Sequence, residues 1–346
     1  MTKQSKSSVG QEKSISGGAF SRRRLLQVGA GLGLAQMTGI LPAFAAGYPE
    51  RQLSMIHAFA PGSSTDAAGR LIADALRDRL GQPVVVENKP GANTIIGTDY
   101  AARQPADGYT LLMVTIDSLC INPALYEKLP YSVTAFDPLT MVGFIPLVLV
   151  GSTKLPDMPL QELFKQPKAM QDGLDFGTWG QGSVAHLVGE MIRQETGANL
   201  VYVPFQGAAP SNMAVQQGTV DFAVLTPQSA AQLVASGKVR IYALGGEERS
   251  PIIPDVPTFK ELGLGNVKAV QWHGVAVRAG GNRQIIDRLY GEVSGFFKQG
   301  GVEEKFTRLG YQKLDGRSPQ DFAKLIAEQT EIWGRAVKAT GLRRTL

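Results

Sequence analysis

Two short stretches carry the residue types that could grip an anion. The first, Phe59–Arg70 (FAPGSSTDAAGR), puts Pro61 and Gly62 in a turn, then the hydroxyls of Ser63, Ser64 and Thr65, then Asp66 at the head of an amphipathic run. The second, Gly177–His186 (GTWGQGSVAH), puts Thr178, Trp179, Gly180, Gln181 and Gly182 ahead of Ser183 and another amphipathic run. A strand–turn–helix unit of this kind leaves backbone N–H groups unpaired at the positive end of the helix dipole, and glycine lets a ligand approach the backbone. One such loop is a weak signal; two of the same kind are a stronger one. Neither holds Lys or Arg ahead of its helix, and Arg70 comes about one turn in. A carboxylate here would rest on N–H groups, hydroxyls and ordered water rather than on a guanidinium fork. Ser63, Ser64, Thr65, Thr178 and Ser183 are the expected donors. The plainer alternative is that one hydroxyl per loop only caps its helix, a role that Ser64, Thr65 or Asp66 can fill in the first.

Other chemistries fit less well. Ser183 invites comparison with a nucleophile, but Ala185 stands where Gly-x-Ser-x-Gly needs its second glycine, and His186, three positions on along one helix, is not oriented on the hydroxyl by that spacing alone. No catalytic residue is assigned. His57, His186 and His273 are the only histidines and no two have metal-ligand spacing, so neither a metal nor a cofactor is expected. Trp179 could stack on a ring or line a pocket wall. Asp221 could face a cleft and receive an amine, or be tied to nearby backbone N–H groups. Strand ends elsewhere add Thr115, Ser118, Phe205, Gln206 and Gly207 to the candidate ligand-binding set, and Phe205 with Trp179 favours a ligand with some apolar or planar surface.

The elements that must position these residues follow an alternating pattern. Ala68, Leu71, Ile72, Ala75, Leu76 and Leu80 share one helical face, closed by Gly81. Val84–Glu87 reads as a buried strand, Asn88–Gly91 as a turn, and Tyr109–Thr115 as another apolar strand. Behind the second loop, Val184, Leu187, Val188, Met191 and Ile192 recur at helical spacing before Gly197. Such alternation predicts an α/β chain with mostly parallel sheet. Met141–Ser152 and Val267–Arg278 are the candidate crossings between two domains. The last helix opens with Ser318 as cap, Pro319 at its first position and Asp321 at its third; Phe322, Leu325, Ile326, Ile332, Trp333 and Val337 form its apolar face, expected to pack on the first domain.

Residues 1–46 read as a leader: Ser21–Gln27 (SRRRLLQ) is a twin-arginine pattern, an apolar glycine-rich run follows, and Ala43-Phe44-Ala45 offers a cleavage site. Residues 1–45 carry six basic side chains and one acidic, so the 35 basic and 30 acidic residues of the whole leave 29 of each sign. With no net charge, the mature chain has no electrostatic footprint for nucleic acid. Cys120 is the only cysteine, which excludes an internal disulfide and fits a small core residue.

In order along the mature chain, PGSSTDAAGR, VVVENKPGANTIIGTDYAARQPADGYTLL, INPALYEKLPY, GQGSVAHLVGE, VPFQGAAP, QQGTVDFAV, GKVRIYALG and PDVPTFKELG resemble the Bug family, the extracytoplasmic receptors of tripartite tricarboxylate transporters. The resemblance implies a two-domain periplasmic-binding-protein fold (type II-like), whose domains are joined by two crossing strands and close on a carboxylate held between loops of both. Placed on this chain, the domains are 47–147 with 271–346, and 148–270. It further implies a monomeric periplasmic protein that hands a small carboxylate to membrane permease subunits. An exported enzyme on the same fold, or a receptor presenting ligand to a membrane kinase, remain the alternatives. Three departures stand out: Ser63 follows Pro61-Gly62 where the family has a second glycine, Asn93-Thr94 replace a Gly-Gly pair, and VRAGGNR replaces Ala-Pro-x-Gly-Thr-Pro after the second crossing. The first lies in a ligand loop and points to altered specificity.

Overall fold

In the computed structural model, residues 47–342 are described. The leader assigned to residues 1–46 lies outside them. In chain order the elements are β1 (Leu53–His57), α1 (Ser64–Leu80), β2 (Val84–Asn88), α2 (Ile95–Ala102), β3 (Thr110–Thr115), α3 (Asn122–Leu125), β4 (Phe136–Pro146), β5 (Val148–Ser152) and α4 (Leu160–Leu163). There follow β6 (Leu174–Thr178), α5 (Val184–Thr196), β7 (Leu200–Pro204), α6 (Ala208–Gln217), β8 (Phe222–Leu225), α7 (Pro227–Val234) and β9 (Val239–Leu244). The chain ends with β10 (Val270–Arg278), α8 (Arg283–Phe297), α9 (Val302–Arg308) and α10 (Pro319–Thr340). A single π-helical turn, Asp117–Ile121, joins β3 to α3.

Two five-stranded sheets result, ordered β2-β1-β3-β10-β4 and β7-β6-β8-β5-β9. Each repeats one plan: a parallel β–α–β–α–β trio with its first strand in the middle, extended by strands that arrive from the crossings. Those arriving strands run antiparallel, β10 to β3 and β4, and β5 to β8 and β9. The sheets are therefore mixed rather than mostly parallel. Periodicity reports which residues are buried, not which way a neighbouring strand runs. Val84–Glu87 also departs from expectation: β2 is the edge strand, so its residues are half-buried or exposed.

Helix ends follow their sequence signals. Ser63, extended at φ −79° and ψ 160°, caps α1, and Gly81 ends it at φ +71° by donating to the Arg77 carbonyl. The cap is thus Ser63, not Ser64, Thr65 or Asp66, all of which lie inside the first turn. Ser183 and Gly197 bracket α5 in the same way. Ser318 caps α10 by accepting from the Asp321 N–H.

The chain passes between sheets at Leu147, whose N–H donates to Ala269 O (2.8 Å) and whose carbonyl accepts from Gly245 N (2.7 Å). A Cβ on Gly245 would overlap the Ala269 carbonyl, so only glycine admits this approach. Helix α10 packs on β4, α3, the π-helical turn and also α5, so it touches a helix that flanks the second sheet as well as the first sheet itself. Its Phe322, Leu325, Ile326, Trp333 and Val337 are buried, whereas Ile332 faces solvent. One apolar cluster takes in Ile56 and Leu112 of the first sheet, Leu149 and Phe176 of the second, and Trp272 on β10. Among the described residues, no helix is long and apolar enough to cross a membrane.

Candidate functional site

Strands β1 and β6 each stand where the following connections leave to opposite sides, one toward β2 or β7 and one toward β3 or β8. The crevice beyond the carboxyl ends of such strands is where open α/β sheets take ligands. Both candidate loops start there, at His57 and at Thr178.

In the first loop Gly62 sits at φ +88° with open space where a Cβ would lie. Asp66 is buried and ties the loop together: Oδ2 accepts from Gly62 N (3.1 Å) and Arg70 Nε (3.0 Å), and Oδ1 from Arg70 Nη2 (3.2 Å) and Asn88 Nδ2 (2.9 Å). Burial pushes the Asp66 carboxyl up, but the hydrogen bonds from Arg70, Asn88 and Gly62 prevail and hold it below its ordinary range. Arg70 is committed to this network, as its position one turn into the helix suggests. The Thr65 hydroxyl lies 3.1 Å from His273 Nε2, and His273 Nδ1 lies 2.9 Å from the Tyr311 hydroxyl. Complete burial depresses His273 to about 3, so it is a neutral link in this chain.

Thr115 and Ser118 form a closed turn at the end of β3, where Ser118 Oγ accepts from Thr115 N (2.9 Å) and donates to Thr115 O (2.9 Å). Both are buried.

In the second loop Ser183 Oγ accepts from His186 N (3.4 Å), and Gly182 N donates to His186 Nδ1 (2.9 Å). His186 therefore shapes the loop from behind. Trp179 donates its indole N–H to Val224 O (3.1 Å), which fixes the ring to the neighbouring strand. Thr178 is fully buried, and among the described residues its hydroxyl has no hydrogen-bond partner. Phe205 is brought alongside, its N–H donating to Thr178 O (3.0 Å), and Gln206 and Gly207 follow it into α6. A cavity of about 300 Å³ flanks this loop between α5 and β7, lined by Thr178, Gln181, His186, Glu190 and Tyr202 among others. Asp221 is not part of this assembly. It lies at the opposite end of β8, roughly 13 Å away at about 3.3 Å per residue. There Lys168 Nζ (3.2 Å) and Asp175 N (3.0 Å) hold its carboxylate, the plainer of its two readings.

The two loop sets meet. Ser64 Oγ donates to Gln228 Oε1 at the start of α7 (3.1 Å), and Gly182 faces Leu125 of α3 so closely that a Cβ would overlap Leu125 Cδ2. Asp117 Oδ1 accepts the N–H of Val184, the first residue of α5, at 3.0 Å. Asp117, Leu125 and Gln228 were not expected from sequence. The only clue was a carboxylate inside the apolar run 109–121. Ser64→Ala removes one neutral hydrogen bond between the loop sets and should cost about 0.5–1.5 kcal/mol of unfolding free energy in urea titrations. A loss above roughly 3 kcal/mol would mean that the hydroxyl bonds a charged group instead.

Comparison with known proteins identifies the family and the fold. Residues 68–342 match the TctC model, described as the tripartite tricarboxylate transporter family receptor. The protein BugT of Bordetella pertussis is 35% identical over 322 residues, 92% of this chain and 98% of that one. The solved structure of R. palustris Rpa4515 with adipate superposes with a TM-score of 0.80 at 27% identity, covering 86% of this chain and all of that one (100%). MatC (Rpa3494) from Rhodopseudomonas palustris with bound malate gives 0.77 at 29% identity, covering 84% of this chain and 100% of that one. The chain belongs to the TctC family of solute-binding receptors, with the two-domain periplasmic-binding-protein fold.

Proposed function

We propose that this protein is the periplasmic receptor of a tripartite tricarboxylate-type transport system, which captures a small carboxylate between its two loop sets and presents it to membrane permease subunits. The observation that carries the reading is that the head of each helix that follows a candidate loop bonds an element of the opposite half, Ser64 of α1 to Gln228 and Val184 of α5 to Asp117. The carboxylates named with two relatives support the ligand class. Sheet membership supports the division into 47–147 with 271–346 and 148–270, since β1–β4 and β10 form one sheet and β5–β9 the other. Under this proposal the protein is exported by the twin-arginine route, works as a monomer and performs no catalysis. Gly62, Ser64 and Phe205 are the candidate residues best placed to contact ligand; Ser63, Thr65, Asp66, Thr115, Ser118 and Ser183 hold the loops in shape, and Thr178 is fully buried.

The test is a thermal-shift screen of aliphatic, hydroxy-, amino- and aromatic acids on the mature protein. A ligand at a hundred times its Kd stabilises the fold by about 2.7 kcal/mol, which for a chain of this size moves Tm by roughly 5 °C. A shift from one class, with the acid recovered unchanged by mass spectrometry, is expected. No shift from any acid, or turnover of the acid that binds, would overturn the reading.

A further inference from the structure

The N-terminus of α5 is already occupied. Asp117 is carried by the π-helical turn that follows β3 of the first sheet, yet its Oδ1 accepts the N–H of Val184, across the junction between the loop sets. Asp117 is 2% exposed. The side-chain amide of Asn93 also favours its charged form, and among the described residues none of the groups acting on it is a cation. Its surroundings are held in an unusual backbone: Ala92, Asn93 and Thr94 all have positive φ (45°, 48° and 72°). Residues other than glycine adopt such angles only where the surrounding structure imposes them. Here Asn122 imposes them, donating its amide to Asn93 O (2.7 Å) and accepting from Asn93 Nδ2 (3.0 Å). The strained turn therefore serves to aim Asn93 between Asn122 and Asp117.

We propose that Asp117 supplies, from within the chain, the anion that the second loop would otherwise take from a ligand, so that the crevice selects monocarboxylates with an uncharged far end over dicarboxylates. This rests on the receptor function proposed above and refines its substrate class. Two carboxylates within about 4–6 Å disfavour each other's ionised form. A diacid reaching the α5 N-terminus must displace Asp117, sit beside it, or take up a proton. A monoacid avoids all three by placing its one carboxylate at the first loop, where Gly62 is exposed and open. Its neutral end then meets the second loop, where Gln181 is exposed and Trp179 and Gly180 are half-buried. The diacids adipate and malate, seen with two relatives, set the contrast.

The test uses the mature protein and two matched probe pairs, succinate with succinamate and adipate with adipamate, titrated calorimetrically at pH 7.5. Each pair differs only in whether the far end is charged. In the parent protein the monoamide should bind at least tenfold more tightly than its diacid. Asp117→Ser, which removes the charge, should reduce that preference at least tenfold, and Asp117→Asn, which keeps an acceptor for Val184, should do the same. A preference that falls in either variant supports the assignment; one unchanged or increased in both overturns it. A parent protein that favours the diacid overturns it without any variant, so the outcome does not depend on the variants folding. Failure of every probe, together with a negative screen of the other acid classes, would instead remove the receptor function itself.

Discussion

Gly182→Val should lower the unfolding free energy by about 2–5 kcal/mol, combining the cost of a left-handed backbone with that of overpacking. Gly182 has φ +80°, and its missing side chain is what lets Leu125, fully buried on α3, seat against the second loop. Gly62→Val is the control. Its φ of +88° imposes the same backbone cost, about 1–3 kcal/mol, but open space surrounds it. Urea unfolding of both variants separates the two contributions. Equal losses would show that Leu125 plays no part. Leu125→Ala should in turn couple to Gly182→Val, the double variant losing less than the sum of the two single changes. Arg70→Ala should weaken ligand binding less than Gly182→Val, because Arg70 is engaged with Asp66 and Asn88 rather than directed at the crevice.

The second large effect is a gain. Burial raises Asp117 to about 6, against hydrogen bonds from Val184 and Asn93 that favour its charge. An unfolded Asp titrates near 3.9, so between about pH 4 and 6 the folded chain keeps a proton that the unfolded chain has released. The contribution of Asp117 to stability therefore falls as pH rises through that window. Above it, the buried charge costs about 3 kcal/mol. Asp117→Asn removes the charge and keeps an acceptor for the Val184 N–H. It should be more stable than the parent by about 1–3 kcal/mol at pH 7.5, and the gain should vanish near pH 4. Urea titrations at pH 4, 5, 6 and 7.5 give the comparison directly, since groups common to both proteins cancel. A difference independent of pH would mean that packing, not charge, separates them. A stabilising change at a position that shapes the crevice is the usual signature of a residue kept for function.

These two positions also mark where the sequence stops being legible. The loops, the caps at Ser183 and Ser318 and the stops at Gly81 and Gly197 rest on contacts a few residues apart, which spacing and residue type reveal. The Asp117–Val184 bond spans 67 positions and Ser64–Gln228 spans 164, and no periodicity encodes such pairs. The same limit explains the two errors of architecture. That β2 lies at an edge, and that β10 inserts antiparallel between β3 and β4, depend on chain returning from far away. For the hydroxyls, residue type suggested several capable donors, but only the fold shows that Ser63, Ser64, Thr65 and Ser183 are engaged within the chain while the Thr178 hydroxyl finds no partner among the described residues.

The placement of the indoles has an optical consequence. Trp272 is sealed on β10 with its ring edge-on to Phe322, and Trp333 is buried on α10, so both should emit at short wavelength whatever happens in the crevice. Trp179 is half-exposed and tethered by its N–H to Val224. Any rearrangement of the second loop that breaks this tether hydrates one emitter of three and shifts only its share of the spectrum to the red. The native protein thus carries a label at the loop in question, with two internal references, and needs no dye to follow its occupancy in real time.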